Sequence, residues 1–339
     1  MATPPAERAQ AQASKPHYRR PEVWETGFTG IRTFAGCSSV SQPEGVEVAI
    51  VGAPFDGATS FRPGARFGPE AIRAASGTLR GYHPALDIDV FAELSVVDWG
   101  DVADIVPGSV PRTLDGIARE LAGMLAHDVV PIVLGGDHSI VLAELRAHAA
   151  ARGPHGIVML DAHADTLLEE GEGDPFSHGS PLRRAVEEGI LVPERSVLAG
   201  MRGSVLDSDE LAWPSDVGFD VISCDDLREL EPEEYAARVR DRAGSEPVLL
   251  SVDVDVVDPA FAPATGTPEV GGLASHELLA FVRSLAGMDF SGFDVVEVSP
   301  PYDNAGQTTA LLAATVVYDY LALVGLAGED LEDEDDEDE

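Results

Sequence analysis

Apolar residues in this chain come as short unbroken runs separated by longer amphipathic stretches. Val46–Gly52, Leu94–Asp98, Val129–Leu134, Ile157–Leu160, Val197–Gly200, Val221–Ser223, Val248–Val252 and Phe293–Val298 read as strands. A run without polar alternation is the pattern of a strand covered on both faces. Between them, stretches from about Glu70 and over Arg112–His127, Ile140–Arg152, Arg183–Gly189, Pro232–Arg242 and His276–Leu285 read as helices. The Pro232–Arg242 stretch opens with acidic residues that suit the positive end of a helix dipole. Strands alternating with helices predict an α/β fold, a mostly parallel sheet with helices on both faces. No linker-like stretch interrupts residues 46–327, which are expected to form a single domain. Residues 1–45, rich in Pro, Ala and Gly, read as an N-terminal arm that becomes ordered around Gly27–Gly36, and residues 328–339 as a disordered acidic tail. The apolar stretch Ala310–Ala327 holds Asp319 between Tyr318 and Tyr320, and reads as a buried C-terminal helix rather than a membrane span.

The polar residues at the ends of four runs change this picture. Ile157–Leu160 leads straight into Asp161, His163 and Asp165, separated by Ala162 and Ala164. In an extended chain, residues i, i+2 and i+4 share a side. Two carboxylates and an imidazole then converge at the carboxyl end of a strand, where ligands of open α/β sheets sit. A polar loop rich in Asp and His is the competing reading. Val129–Leu134 ends in Gly135-Gly136-Asp137-His138-Ser139, Val248–Val252 runs into Asp253 and Asp255, and the last strand ends in Glu297-Val298-Ser299-Pro300. His138, Asp161, His163, Asp165, Asp253 and Asp255 make four carboxylates and two imidazoles without a thiolate. That set exceeds one tetrahedral zinc and suits Mn²⁺, with Ni²⁺ or Co²⁺ as alternatives. Without a cation the carboxylates would repel one another; two ions sharing them would lower the pKa of a bridging water. Glu297 reads either as a solvated strand end or as a carboxylate that grips a planar cation through paired hydrogen bonds. His178, in the loop Phe176–Ser180, reads either as a bystander or as a proton carrier.

Charge narrows the partners. The 339 residues carry 60 acidic against 22 basic side chains, a net charge of −38, and Lys15 is the sole lysine. Only ten of the acids lie in the last twelve residues, so the excess is spread over the folded body. Such a surface repels nucleic acid and anionic membranes. It fits a protein kept soluble in concentrated salt, where screening is short-ranged, as in a halophile; an unusually acidic mesophilic protein is the alternative. Cys37 and Cys224 form no disulfide framework. The N-terminus lacks the apolar segment of a signal peptide. A cytoplasmic location is expected.

In this order, GGDHS, DAHAD, the Ser251–Pro259 segment SVDVDVVDP and EVSP resemble the ureohydrolase family of arginases and agmatinases, over about residues 46–325. The loop Ala53–Pro69 and the segments His178–Gly189 and Pro259–Gly272 resemble the agmatinase branch, including guanidinobutyrase. The resemblance implies a three-layer αβα sandwich around a mostly parallel, about eight-stranded sheet, and a homotrimer or homohexamer. It implies two Mn²⁺ per chain, one held by His138, Asp161, Asp165 and Asp253, the other by His163, Asp161, Asp253 and Asp255. A metal-bridging hydroxide would attack the guanidinium carbon of a small guanidino substrate, with Asp165, His178 and Glu297 as catalytic residues. Glu297 would hold the guanidinium and His178 would pass a proton to or from the departing amine. Agmatine, giving putrescine and urea, is the first substrate this implies; guanidinobutyrate and other guanidino acids follow, then arginase, formimidoylglutamase and guanidine hydrolase activities. Ala164 stands where the family usually has Thr, facing away from the ligands. The polar loop that holds the amino-acid end of arginine is not recognisable after Asp165. Glu169, Glu170, Glu172 and Asp174 stand there instead and favour an amine-bearing substrate, although a salt-adapted surface explains them too. A one-zinc deacetylase of related fold and a non-catalytic subunit are the competing classes; the paired ligand sets speak against both.

Overall fold

The computed structural model describes Tyr18 and residues 29–168, 175–205 and 208–333. Most of the predicted arm, the end of the predicted tail, and Glu169, Glu170, Glu172 and Asp174 lie outside the described residues.

The chain forms strands β1 (Ser38–Ser39) and β2 (Val48–Ala53), helix α1 (Gly68–Ala75), a small hairpin β3 (Tyr82–His83) and β4 (Ile88–Asp89), and α2 (Val90–Glu93). Then follow β5 (Val96–Asp101), α3 (Val110–Leu125), β6 (Val130–Gly135), α4 (Val141–Arg152), β7 (Gly156–Leu160) and α5 (Pro181–Glu187). The second half holds β8 (Val197–Met201), α6 (Ser208–Val217), β9 (Asp220–Ser223), α7 (Cys224–Glu229), α8 (Pro232–Ala243) and β10 (Val248–Asp253). It closes with α9 (Ser275–Ser284), β11 (Phe290–Val296) and α10 (Thr308–Asp333).

Nine strands make one sheet in the order β1-β5-β2-β6-β11-β10-β7-β8-β9, and every pairing in it is parallel. The count exceeds the eight expected because Ser38 and Ser39 pair with Val97 and Asp98 at the edge. Two serines carry no strand signal; they are held there because Phe34 and Ala35 beside them are fully buried and the Phe34 N–H donates to Asp98 Oδ2 at 2.7 Å. Helices α6 and α7 were also not expected, and Pro214 inside α6 masks its pattern.

The unbroken apolar runs are explained by burial on both faces. Along β7, Val158 and Leu160 belong to one core and Ile157 and Met159 to the other; β2 splits Val48 and Ile50 from Ala49 and Val51 in the same way. Truncating such a residue, as in Leu160→Ala, costs about 2–5 kcal/mol. Helix α10 is apolar and long enough to cross a membrane over Thr308–Ala327, but 72% of that span is buried inside the protein. Its backbone runs to Asp333, past the expected start of the tail. With parallel strands, β6, β7, β10 and β11 sit side by side and end on one edge, which places four polar segments together.

Candidate metal centre

Three of these strand exits are built by the same local device. Oδ1 of Asp137, Asp161 and Asp253 accepts the backbone N–H two residues on, from Ser139 at 3.1 Å, His163 at 2.6 Å and Asp255 at 2.8 Å. This is an Asx turn, which an Asp side chain closes on its own backbone. The chain therefore turns where period-two alternation assumed it stayed extended. Asp255 lies in a 3₁₀ turn over Val254–Val256, and Asp165 has a left-handed φ of 51°. The ligand residues expected from the sequence are the ones that meet, but through turns.

All six do meet. His138 Nδ1 is 2.9 Å from Asp161 Oδ2, 2.9 Å from Asp165 Oδ2 and 3.6 Å from Asp253 Oδ2. His163 Nδ1 is 3.0 Å from Asp255 Oδ2 and 3.5 Å from Asp161 Oδ1. Among the described residues, donor atoms of His138, Asp161 and Asp253 form one group and those of Asp161, His163 and Asp255 another, each within 4.8 Å. Asp161 is common to both; Asp253 belongs to the first group only. His138 Nδ1, Asp161 Oδ2 and Asp255 Oδ2 are buried and meet their neighbours at ion-pair distance, but without a well-aligned hydrogen bond. Buried polar atoms are rarely left so. Orphaned donor atoms, oxygen-dominated and completed by two imidazoles, fit a pair of divalent cations.

His138 is oriented from behind. Its Nε2 lies 2.9 Å from Ser251 Oγ, which donates to Asp294 Oδ1 at 2.8 Å. Nε2 then carries the proton and Nδ1 turns a lone pair to the cluster. Neither Ser251 nor Asp294 was singled out from the sequence, since one serine inside a strand carries no signal. Asp137 was also passed over: its Oδ2 accepts the Ala58 N–H at 2.8 Å and ties the Ala53–Pro69 loop to the site.

Glu297 follows β11 with a left-handed φ of 63°. Backbone strain of this kind collects at functional sites. Its Oε1 accepts the His138 N–H at 3.0 Å and lies 2.8 Å from His178 Nδ1; its Oε2 is buried without a partner. A side chain on Gly266 would come within 3.1 Å of Oε2, so that glycine keeps the carboxylate open. His178 Nε2 faces Ser60, 2.8 Å from Oγ and 3.1 Å from the N–H. As a neutral ring, Nδ1–H donates to Glu297 and Nε2 accepts from Ser60; as an imidazolium, Nε2–H donates to Ser60 Oγ. The Ser60 N–H can donate only to the neutral ring, while Glu297 favours the charged one, so the two neighbours of His178 pull its proton in opposite senses. These groups border a cleft of about 90 Å³ lined also by Thr166, Leu167, Glu210 and Thr267.

Charges in the cluster shift one another. Burial alone would lower the pKa of His138, but Asp165 and Asp161 outweigh it and hold it well above 6.5. His163 is raised likewise, by Asp255 and Asp161 against burial. Burial, then Asp255 and Asp161, raise Asp253; burial and Asp161 bring Asp165 to about 6. Burial opposes protonation of His178, yet Glu297 lifts it to about 10. Packed carboxylates that raise one another are what a divalent cation relieves.

Residues 46–322 match the arginase family. The chain is 40% identical to the proclavaminate amidinohydrolase of Streptomyces clavuligerus over 296 residues, covering 86% of this chain and 94% of that one. It is 41% identical to the guanidinopropionase of Pseudomonas aeruginosa over 297 residues, covering 88% and 92%. It is 40% identical to the mitochondrial agmatinase of Gallus gallus over 300 residues, covering 86% and 87%. The solved structure of the S. clavuligerus amidinohydrolase superposes with a TM-score of 0.84, spanning 89% of this chain and 99% of that one.

Proposed function

The chain belongs to the arginase family of hydrolases acting on guanidino compounds, and within it we propose a two-manganese amidinohydrolase that cleaves agmatine to putrescine and urea. His138, Asp161, Asp165 and Asp253 would hold one ion, and His163, Asp161, Asp253 and Asp255 the other. When bound, the pair lowers the pKa of water at the cluster toward neutrality and offsets charge developing on the substrate. The protein's own residues supply the remainder. The orphaned Oε2 of Glu297 accepts a guanidinium N–H in a charge-assisted bond. His178, one hydrogen bond from Glu297 and held protonated at neutral pH, delivers its proton to the amine nitrogen as the C–N bond breaks. Water contributes the oxygen of urea; one of its protons joins the one from His178 on the departing ammonium, and the other restores His178. Hydroxyls of Ser60 and Thr267 border the cleft and keep its wall polar.

The observation that carries this reading is the orphaned Glu297 Oε2 beside a cluster of orphaned metal-donor atoms. Agmatine is preferred because no Lys or Arg lines the cleft among the described residues, so a substrate carboxylate would find no partner. Guanidino acids are the second reading, favoured by relatives named for proclavaminate and guanidinopropionate. A panel of agmatine, 3-guanidinopropionate, 4-guanidinobutyrate and arginine, assayed for urea after Mn²⁺ loading, decides between them. Agmatine should give the highest kcat/KM; turnover of a guanidino acid but not agmatine would overturn the preference.

A further inference from the structure

The metal cleft adjoins a second cavity. Glu210, in the first turn of α6, lines the metal cleft and also this second cavity of about 140 Å³, walled by Met201, Val205, Leu211 and Val221. His163, Ala164 and Glu210 are common to both lobes. A guanidinium placed on Glu297 thus leaves its alkyl chain running past His163 and Ala164 toward an apolar chamber with one carboxylate at its entrance. Beyond the metal-donor carboxylates and Glu297, Glu210 is the only carboxylate among the described lining residues of the cleft. The second lobe does contain Arg202, but its guanidinium is committed to five backbone carbonyls, of Val270, Gly200, Val256, Asp255 and Glu269. Among the described residues of this lobe, no Lys or Arg side chain is therefore left to receive an anionic tail.

We propose that Glu210 is the specificity-determining contact for the far end of the substrate and receives a primary ammonium carried on an alkyl chain. This rests on agmatine as the substrate. Glu210 selects by charge: an ammonium gains a charge-assisted hydrogen bond, a methyl terminus gains only the apolar wall, and a carboxylate meets a like charge. Hydrogen bonds to charged groups of about 1.5–3 kcal/mol correspond to roughly 10- to 100-fold in selectivity.

The test compares wild type, Glu210→Gln and Glu210→Lys, all manganese-loaded, on agmatine, 1-butylguanidine and 4-guanidinobutyrate, which differ in the terminal group. In Glu210→Gln, the preference for agmatine over 1-butylguanidine should drop about 10- to 100-fold, mainly through KM, with metal content unchanged. Glu210→Lys should reverse the order of agmatine and 4-guanidinobutyrate. The inhibition constant of 1,4-diaminobutane should rise in both variants, a readout independent of turnover. Agmatine turnover with an unaltered preference in both variants overturns the role of Glu210 alone. A wild-type enzyme inactive on agmatine overturns the substrate reading, and this inference with it.

Discussion

His138 and His148 are both fully buried, yet their imidazoles meet opposite surroundings. Around His138 three carboxylates converge, and Asp165 and Asp161 hold it above its ordinary pKa against the pull of burial. His148, on the sheet-facing side of α4, has neither ring nitrogen hydrogen-bonded; burial, then neighbouring His155, depress it to about 3. Glu144, one helical turn away, has both oxygens buried and unpartnered, and burial followed by Asp294 raises its pKa well above 4.5. Under the helix, orphaned groups therefore become neutral, an acid by keeping its proton and a base by refusing one. At the strand exits carboxylates also raise one another, but there two imidazoles are held protonated among them, so acids and bases meet at one place. A buried orphan atom alone does not mark a site. Opposite charges converging on shared orphans do.

The most damaging test of this distinction removes a converging carboxylate. Asp253→Ala should lose bound metal by elemental analysis and lower kcat/KM by at least about 10³-fold, the equivalent of several kcal/mol of charge stabilisation. If it kept two ions per chain, convergence would not be what selects the metal.

A third arrangement offers a smaller effect of a different kind. Asp319 is buried, yet its oxygens accept from Arg283 Nε at 2.9 Å and Nη2 at 3.1 Å and meet His83 Nε2 at 2.6 Å. Both oxygens of Asp319 are used, so the cluster holds α10 in place and offers no orphaned donor atom to a ligand. Asp319→Leu should cost about 3 kcal/mol of unfolding free energy, read by chemical denaturation, while kcat/KM of the folded fraction stays at the wild-type value.

The least dramatic test follows pH. His148 and His155 fall to about 3 and about 4 in the folded chain, from an ordinary 6.5, burial being the main cause. The unfolded chain takes up these protons more readily, so their contribution is complete above about pH 6.5 and is lost as pH falls toward 4. Denaturation midpoints should decline from pH 7 to pH 5, and His148→Leu should flatten part of that slope. An unchanged slope would mean that this ring does not couple folding to pH.

Much of this was legible in the residues because apolar runs and their polar ends are strong local signals. Ile157–Leu160 and the Asp and His residues after it, with their counterparts after β6 and β10, announced both the parallel sheet and the cluster. What escaped was set by contacts distant in sequence. Ser251 and Asp294 orient His138 across two neighbouring strands, and neither stands out along the chain. Glu210 sits on α6, whose helical pattern is broken by Pro214. The turn conformation of Asp255 and Asp165 was missed because Asx turns and extended chain can bring the same spacing to one side.

The two-residue strand β1 has a consequence for how copies of this protein meet one another. Without it, β5 would end the sheet with open N–H and C=O groups, a template for a strand from any passing chain. Ser38 and Ser39 occupy those positions, and a segment so short and polar is a poor template in turn. A stretch of the N-terminal arm with no part in chemistry thereby acts as a stopper on the sheet, so trimming the chain past Val40 would trade a finished edge for an adhesive one.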